Sequence, residues 1–172
     1  MPTYAKETSV SPDRSRAEIE QTLARYGATQ FMYGWNGHAA VIAFEMHDRR
    51  LRFVLPLPAG DDPAFAQTPT GRRRTQAQID KAYDQAVRQR WRALALAIKA
   101  KLEMVESGIT GFEQEFLAHV ILPSGQTVGE WMAPQVEQAY VSGRMPPLLP
   151  PPMVLARSAG HSRYPEMSHE RR

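Results

Sequence analysis

Three consecutive strand-like runs constrain the fold of this chain more than any other feature of its sequence. The runs cover residues 31–35, 39–46 and 50–57, and the first and third show the alternation that is typical of strands with one buried face. Asn36-Gly37 predicts a two-residue hairpin of type I′ between the first two runs, because that turn needs a positive φ at both central positions. His47-Asp48 predicts a second turn. Together these signals predict a three-stranded antiparallel β-meander.

The two faces of the predicted sheet differ in character. In the third strand, one face is apolar and the other carries Arg50 and Arg52, before Pro56 and Pro58 end the strand. In the first strand, Phe31, Tyr33 and Trp35 share a face. Aromatic residues of this kind either form the buried side of a sheet or stack on bases, and Tyr33 and Trp35 are the candidates for stacking.

Helical patterns flank the predicted sheet. Ser15-Arg-Ala-Glu18 has the spacing of a capping box and predicts a short helix over residues 12–26. Thr75-Gln-Ala-Gln78 opens a longer apolar pattern that ends at Ser107-Gly108. That helix would be roughly 45–50 Å long, so we expect one end to project or the helix to break. Two shorter helices are predicted after it, over residues 110–119 and 127–142.

The order of these elements predicts an α+β fold. It consists of an N-terminal helix, a three-stranded antiparallel β-meander, a long central helix and two shorter C-terminal helices. Residues 1–11 are predicted to form a polar N-terminal arm and 12–145 a single domain, with 59–74 as a flexible loop. Residues 146–172 are rich in proline and polar residues and are predicted to form a disordered tail.

Several classes of function are disfavoured by the composition. The chain has no cysteine, which excludes disulfides, a thiol nucleophile and a thiolate metal site. No signal-peptide core or membrane-spanning run is present, so we predict a cytoplasmic protein without a membrane partner. No nucleotide-binding, zinc-protease or hydrolase motif occurs, and we predict no catalytic centre, no metal and no cofactor. A minor alternative is a hydrolase or nuclease that uses Glu113, Glu115 and His119.

The positive charges are concentrated in one segment. The net charge is only +3, but residues 72–101 hold nine cationic and two acidic residues, which leaves −4 for the remainder. Lys81, Arg88, Arg92 and Lys99 are separated by seven, four and seven residues, so they return to the same side of a helix. Such a stripe would be about 27 Å long and would suit a phosphate backbone.

This pattern predicts sequence-tolerant binding of single- or double-stranded nucleic acid, with Tyr33 and Trp35 as stacking groups. The predicted phosphate contacts are Arg50, Arg52, Arg72, Arg73, Arg74, Lys81, Arg88, Arg92 and Lys99. Two other interpretations of the basic face stay open, namely an ordinary solvated surface and a surface for an acidic protein. The principal alternative function is a non-catalytic protein–protein interaction module that forms homo-oligomers through its long helix.

Several short segments resemble a family of small proteins of bacteriophages and prophages. The resemblance implies no particular activity. The similarity covers about residues 4–149 and is carried by Ala17-Glu-Ile-Glu20, Arg25-Tyr-Gly-Ala28, Tyr33-Gly-Trp35, Arg52-Phe-Val-Leu-Pro-Leu-Pro58, Gln89-Arg-Trp-Arg-Ala-Leu-Ala-Leu-Ala-Ile-Lys-Ala-Lys101, Glu115-Phe-Leu-Ala and Val128-Gly-Glu-Trp131. The resemblance implies a phage setting, in which DNA replication, recombination and defence evasion are common tasks. In that setting the interaction module would be an anti-defence or assembly factor that binds a host or phage protein. The order of elements is also similar to double-stranded-RNA-binding domains and, more loosely, to strand-annealing recombinases.

Overall fold

The computed structural model describes Ala5 and residues 7–144, so the predicted tail, 146–172, lies outside the described residues. It confirms the α+β class, with an N-terminal helix, a three-stranded antiparallel sheet and a long central helix. The elements are α1 (Pro12–Arg25), β1 (Gln30–Asn36), β2 (Ala39–Met46), β3 (Arg49–Pro56), α2 (Pro63–Ala66), α3 (Gln76–Glu106), α4 (Phe112–Phe116), a 3₁₀ turn (Leu117–His119) and α5 (Val128–Ser142).

The sheet is a meander in the order β1-β2-β3. The two positive φ angles that we expected at its first turn occur at its second turn instead. Gly37 and His38 form the first corner with no positive φ, and the Asn36 side-chain oxygen accepts hydrogen bonds from the amides of His38 and Ala39. An Asx turn therefore replaces the predicted type I′ turn. The left-handed pair occurs at the second turn, where His47 and Asp48 have φ of 50° and 57°.

One face of the sheet forms the floor of the core. Ile42 and Phe44 of β2 and Leu51 and Phe53 of β3 are buried there, and the alternation in β3 predicts this for Leu51 and Phe53. The helices α1, α3 and α4 cover this face with apolar side chains, namely Ile19, Leu23, Trp91, Ala95, Ile98, Leu102, Phe112 and Phe116. On the other face of the sheet, Met32 and Val54 are exposed, whereas Val41, Ala43 and Arg52 are half-buried.

The first helix begins earlier than the predicted cap. Ser11 is the N-cap, and its hydroxyl accepts a hydrogen bond from the Arg14 amide, while Ser15 lies buried inside the helix. The Pro12 that follows Ser11 suits the first helical position, because its missing N–H has no partner there in any helix. The capping-box prediction at Ser15 was wrong for this reason. Before the helix, Ala5 is buried and the Thr8 carbonyl accepts a hydrogen bond from Gln85.

The long helix α3 is unbroken over 31 residues, or about 46 Å. Thr75 and Gln78 form the predicted capping box, and Gly108 follows the helix with a φ of +70°. All of its fully buried residues, from Trp91 to Leu102, lie in the C-terminal half. The N-terminal half therefore projects beyond the sheet, where Tyr83 packs edge-on against Phe65 of the α2 segment.

The C-terminal elements are anchored by contacts with β3 and the 3₁₀ turn. Ile121 donates a backbone hydrogen bond to the Arg50 carbonyl, and α5 begins at the predicted place with a capping box of Thr127 and Glu130. Gly129 packs against the Ala118 carbonyl so closely that a Cβ at this position would lie 2.9 Å from the oxygen. In the part of the chain described, no helix combines the length and apolar character needed to cross a membrane.

Candidate nucleic-acid interface

The predicted basic stripe lies on the flank of α3 that meets the N-terminal segment. Gln85, four residues after Lys81 and seven before Arg92, belongs to the same stripe and donates to the Thr8 carbonyl at 3.0 Å. Arg92 forms a 2.5 Å ion pair with Glu18 of α1. The helix α1 packs on this side because its own apolar residues must reach the core beside α3. The stripe is therefore partly occupied by intramolecular contacts.

Three of the four cations in the stripe stand beside carboxylates. Arg92 is half-buried and paired as described, and Lys81 and Arg88 line a groove together with Glu7, Asp80 and Asp84. The exposed Lys99 lies eighteen residues from Lys81, or about 27 Å along the helix. The expectation of one continuous free ridge was wrong for this reason.

The two arginines of β3 also have separate roles. Arg52 donates to Glu130 at 2.6 Å and to the Gly125 carbonyl at 3.0 Å, which attaches the start of α5 to the sheet. Thr127 and Arg52 together hold the pKa of Glu130 below its ordinary value, with the Thr127 backbone amide as the main cause. Arg50 is exposed near the start of β3. It lies six residues, or about 20 Å, from Pro56 at the other end of that strand.

A small hairpin over residues 67–74, which we name the arginine hairpin, presents the remaining cluster. Gln67 and Arg73 form an antiparallel bridge, and the Thr68 amide donates to the Arg72 carbonyl at 2.8 Å. Gly71 supplies the positive φ, +80°, that closes the turn. Residues 59–74, predicted as a flexible loop, thus contain both α2 and this hairpin. Sequence reasoning missed both, although Asp62-Pro63 is a recognisable helix start.

The arginine hairpin leaves two guanidinium groups without a carboxylate partner. Arg72 and Arg73 are exposed, and no acidic group among the described residues lies within ion-pair distance of either. Arg74 is half-buried and donates to the Phe65 carbonyl at 3.3 Å, so its side chain braces the hairpin against α2. Within the described residues, the arginine hairpin therefore presents two unpaired cations on an ordered backbone.

The start of α3 adds to the positive potential at this place. Thr75 follows the arginine hairpin directly and caps α3, whose first turn contains no acidic residue. A helix N-terminus carries a partial positive charge, so arginines in front of it repel one another and the dipole unless an anion is present. Asp80, the nearest acid along the helix, accepts a hydrogen bond from Gln76 at 2.8 Å. The geometry suits an anionic ligand that approaches from the hairpin side.

The two candidate stacking residues differ in accessibility. Tyr33 is half-buried, with its ring 5.7 Å from that of Trp91 and the Arg16 guanidinium 4.6 Å from its centre, so it is less accessible to a base. Trp35 is 70% exposed at the end of β1. The same end of the sheet contains His38 and Pro56. The His38 carbonyl accepts a hydrogen bond from the Leu57 amide, and the Pro56 carbonyl accepts one from the Arg90 side chain of α3. Trp35 therefore lies at the end of the sheet from which α3 projects.

Two of the three residues of the hydrolase alternative, Glu115 and His119, are engaged in packing, whereas Glu113 is exposed. Glu115 pairs with Lys101 at 2.7 Å, and the His119 ring stacks on Phe53 with centroids 3.8 Å apart. Burial lowers the pKa of His119, and the nearby Lys101 lowers it further. No group of three potential metal ligands occurs among residues 5 and 7–144. We therefore do not pursue this alternative.

Comparison with known proteins gives no assignment. No family model, no curated protein and no solved structure matches this chain.

Proposed function

We propose that this chain is a phage-type accessory protein that binds nucleic acid with little sequence specificity. The arginine hairpin is the principal contact, in place of the full length of α3. The observation that carries the proposal is the pair of guanidinium groups of Arg72 and Arg73 in front of the α3 N-terminus, which are exposed and have no carboxylate partner among the described residues. Arginine forms bidentate hydrogen bonds with phosphate oxygens, and each phosphate that it neutralises releases counterions.

A nucleic-acid strand gains further contacts at the same end of the molecule. Lys81 is exposed on α3, less than two turns after its start, and Trp35 projects from the end of β1. Stacking on an exposed tryptophan requires an unpaired base, and it contributes about 1–3 kcal/mol per base. We therefore propose that single strands are preferred over duplexes. The proposed setting is the bacterial cytoplasm, with a role in replication or recombination of DNA.

A panel of labelled oligonucleotides tests the proposal. Fluorescence anisotropy at low salt with single-stranded DNA, single-stranded RNA and duplex DNA should show binding to all three, with the single strands bound most tightly. The double variant Arg72→Ala/Arg73→Ala should lose about tenfold or more in affinity for each of them. Trp35→Ala should weaken only the single-strand complexes.

A control of equal charge separates this contact from net charge. Arg14 and Arg25 are exposed cations of α1, remote in sequence from the arginine hairpin, and Arg14→Ala/Arg25→Ala removes the same two charges. The control should bind almost as the wild type does. Equal losses in the two double variants would show that only bulk charge matters, and absence of binding at low salt would refute the proposal.

Oligomerisation through the long helix has less support. The exposed positions on the outer side of α3 include Ala93, Ala97 and Ala100, with Met104 as the one larger residue of this group. Alanine side chains bury little apolar area, at about 0.8 kcal/mol for each methyl-sized group. A dimer formed by this face of α3 against its copy would therefore be weak.

A further inference from the structure

The open edge of the sheet is formed by β1, a strand without the usual protection. Its sequence, Gln-Phe-Met-Tyr-Gly-Trp-Asn over Gln30–Asn36, contains no charged residue and no proline. In the described chain β1 is hydrogen-bonded to β2 alone. Soluble proteins normally blunt such an edge with lysines, prolines or bulges, because free N–H and C=O groups attract another strand. An unprotected edge indicates a strand that has a partner.

The direction of the free backbone groups follows from the register. The Leu57 amide donates to the His38 carbonyl, which places the even-numbered residues of β2 in hydrogen bonds with β3. The odd-numbered residues of β2 therefore bond to β1, where they face the even-numbered residues. The N–H and C=O groups of Phe31, Tyr33 and Trp35 consequently point away from the sheet.

We propose that β1 pairs antiparallel with β1 of a second copy of this chain, with Tyr33 opposite the partner's Tyr33. In this register Phe31 faces the partner's Trp35, and Trp35 faces the partner's Phe31. All three pairs join residues whose free groups point outward, and each pair exchanges two hydrogen bonds, or about six in total. The resulting sheet has six strands and no free β1 edge.

The side chains of β1 are complementary to themselves in this register. On the outer face, Met32 (66% exposed) lies opposite the partner's Gly34, where an added Cβ would meet no atom within 4 Å in the single chain. On the inner face, the exposed Trp35 ring gains the half-buried ring of the partner's Phe31 as a neighbour. At the two ends, Gln30 faces the partner's Asn36, so polar amides meet. A large residue thus faces a small one, and no charge is buried.

Substitutions at Met32 test the proposed dimer. The oligomeric state is measured by light scattering and sedimentation at protein concentrations of about 5 to 500 µM, the range for weak dimers of modest interface area. The wild type should shift from monomer to dimer. Met32→Lys places two lysines beside the two-fold axis and should weaken the dimer at least about tenfold, because like charges across strands repel. Gly34→Val, which has room in the monomer, should also weaken it by occupying the space of the partner's Met32.

A matched control distinguishes edge pairing from stacking of sheet faces. Val54 lies on the same outer face as Met32 but on β3, two strands or about 10 Å from the β1 edge. Val54→Lys should leave the dimer unchanged. Equal weakening by Val54→Lys and Met32→Lys would overturn the proposed edge pairing, and so would a monomer at the highest concentration.

The register itself can be tested by crosslinking, since the chain has no cysteine of its own. A mixture of Met32→Cys and Gly34→Cys proteins should form a disulfide between subunits on mild oxidation, because the two positions are directly opposite, at about 4.5 Å between Cα atoms. Each protein alone should crosslink far more slowly. Rapid crosslinking of either protein alone, or none in the mixture, would refute this register. The result does not depend on whether nucleic acid binds.

Discussion

Substitution of Gly129 by alanine tests the close packing of α5 on Ala118. The sign of the change in unfolding free energy shows whether helix propensity or the steric clash with Ala118 dominates. In an exposed helix, replacing glycine by alanine stabilises by about 1 kcal/mol, because glycine loses more backbone entropy on folding. At Gly129 the added Cβ would stand 2.9 Å from the Ala118 carbonyl oxygen and 3.4 Å from the Ala118 Cβ. Both of these neighbours belong to the backbone or are attached directly to it, so they cannot move aside without displacing the 3₁₀ turn or α5.

The expected magnitude follows from the two opposing contributions. Overpacking of this kind costs typically 1–3 kcal/mol, which exceeds the gain in helix propensity. We therefore expect Gly129→Ala to lower the free energy of unfolding by about 1 kcal/mol. The displacement also acts on the neighbouring Glu130, which pairs with Arg52, so amide hydrogen exchange in α5 should accelerate.

Urea unfolding, followed by far-ultraviolet circular dichroism, measures this change, and Ala133→Gly is the matched control. Ala133 is an exposed residue of the same helix, so its replacement by glycine reports the helix propensity alone and should cost about 1 kcal/mol. If Gly129→Ala raised the stability by a similar amount, the close approach of α5 to Ala118 would be contradicted.

Three further predictions concern the framework around the proposed sites. Ile98 is fully buried between the sheet and α1, so Ile98→Ala should lower the free energy of unfolding by about 2–5 kcal/mol in urea titrations, and a loss below about 1 kcal/mol would contradict the assigned core. Burial lowers the pKa of His119, so its neutral form contributes fully to the free energy of unfolding above the ordinary histidine pKa. This contribution should decrease as the pH falls below that value. Urea unfolding at two pH values should show the decrease in the wild type and a smaller one in His119→Gln. Thr75 caps α3 beside the arginine hairpin, so Thr75→Ala should cost about 1 kcal/mol and speed hydrogen exchange in the first turns of α3, whereas unchanged exchange there would contradict the capping contact.

The overall architecture was accessible from sequence because it follows from local periodicity. Alternation in β1 and β3, the apolar run of β2 and the helix-start signals at Thr75 and Thr127 are properties of a few neighbouring residues, and they predicted β1 to β3, α3 and α5 within one or two residues. Turn chemistry was less accessible. Asn36 stabilises its turn through its side chain, whereas Asp48 adopts a left-handed conformation, and both residue types favour both solutions.

The state of individual cations could not be predicted, because it depends on the packing of distant segments. Arg92 is 74 residues from Glu18, and Arg52 is 78 residues from Glu130. Helical spacing placed Lys81, Arg88, Arg92 and Lys99 on one side of α3 correctly, but it could not show that α1 would pack along that side. Arg72 and Arg73 were identified from their proximity in sequence, and their ordered hairpin became apparent only from the bond between Thr68 and Arg72.

The salt dependence of oligonucleotide binding tests the role of the arginine hairpin most directly. The logarithm of the binding constant should fall linearly with the logarithm of the salt concentration, with a slope of about −0.7 for each phosphate contacted on a single strand. Arg72→Ala/Arg73→Ala should make this slope shallower by about 1.4, whereas Arg14→Ala/Arg25→Ala should leave it as in the wild type. Parallel lines for the wild type and the Arg72→Ala/Arg73→Ala variant would show that neither guanidinium contacts a phosphate, and would contradict the proposed function.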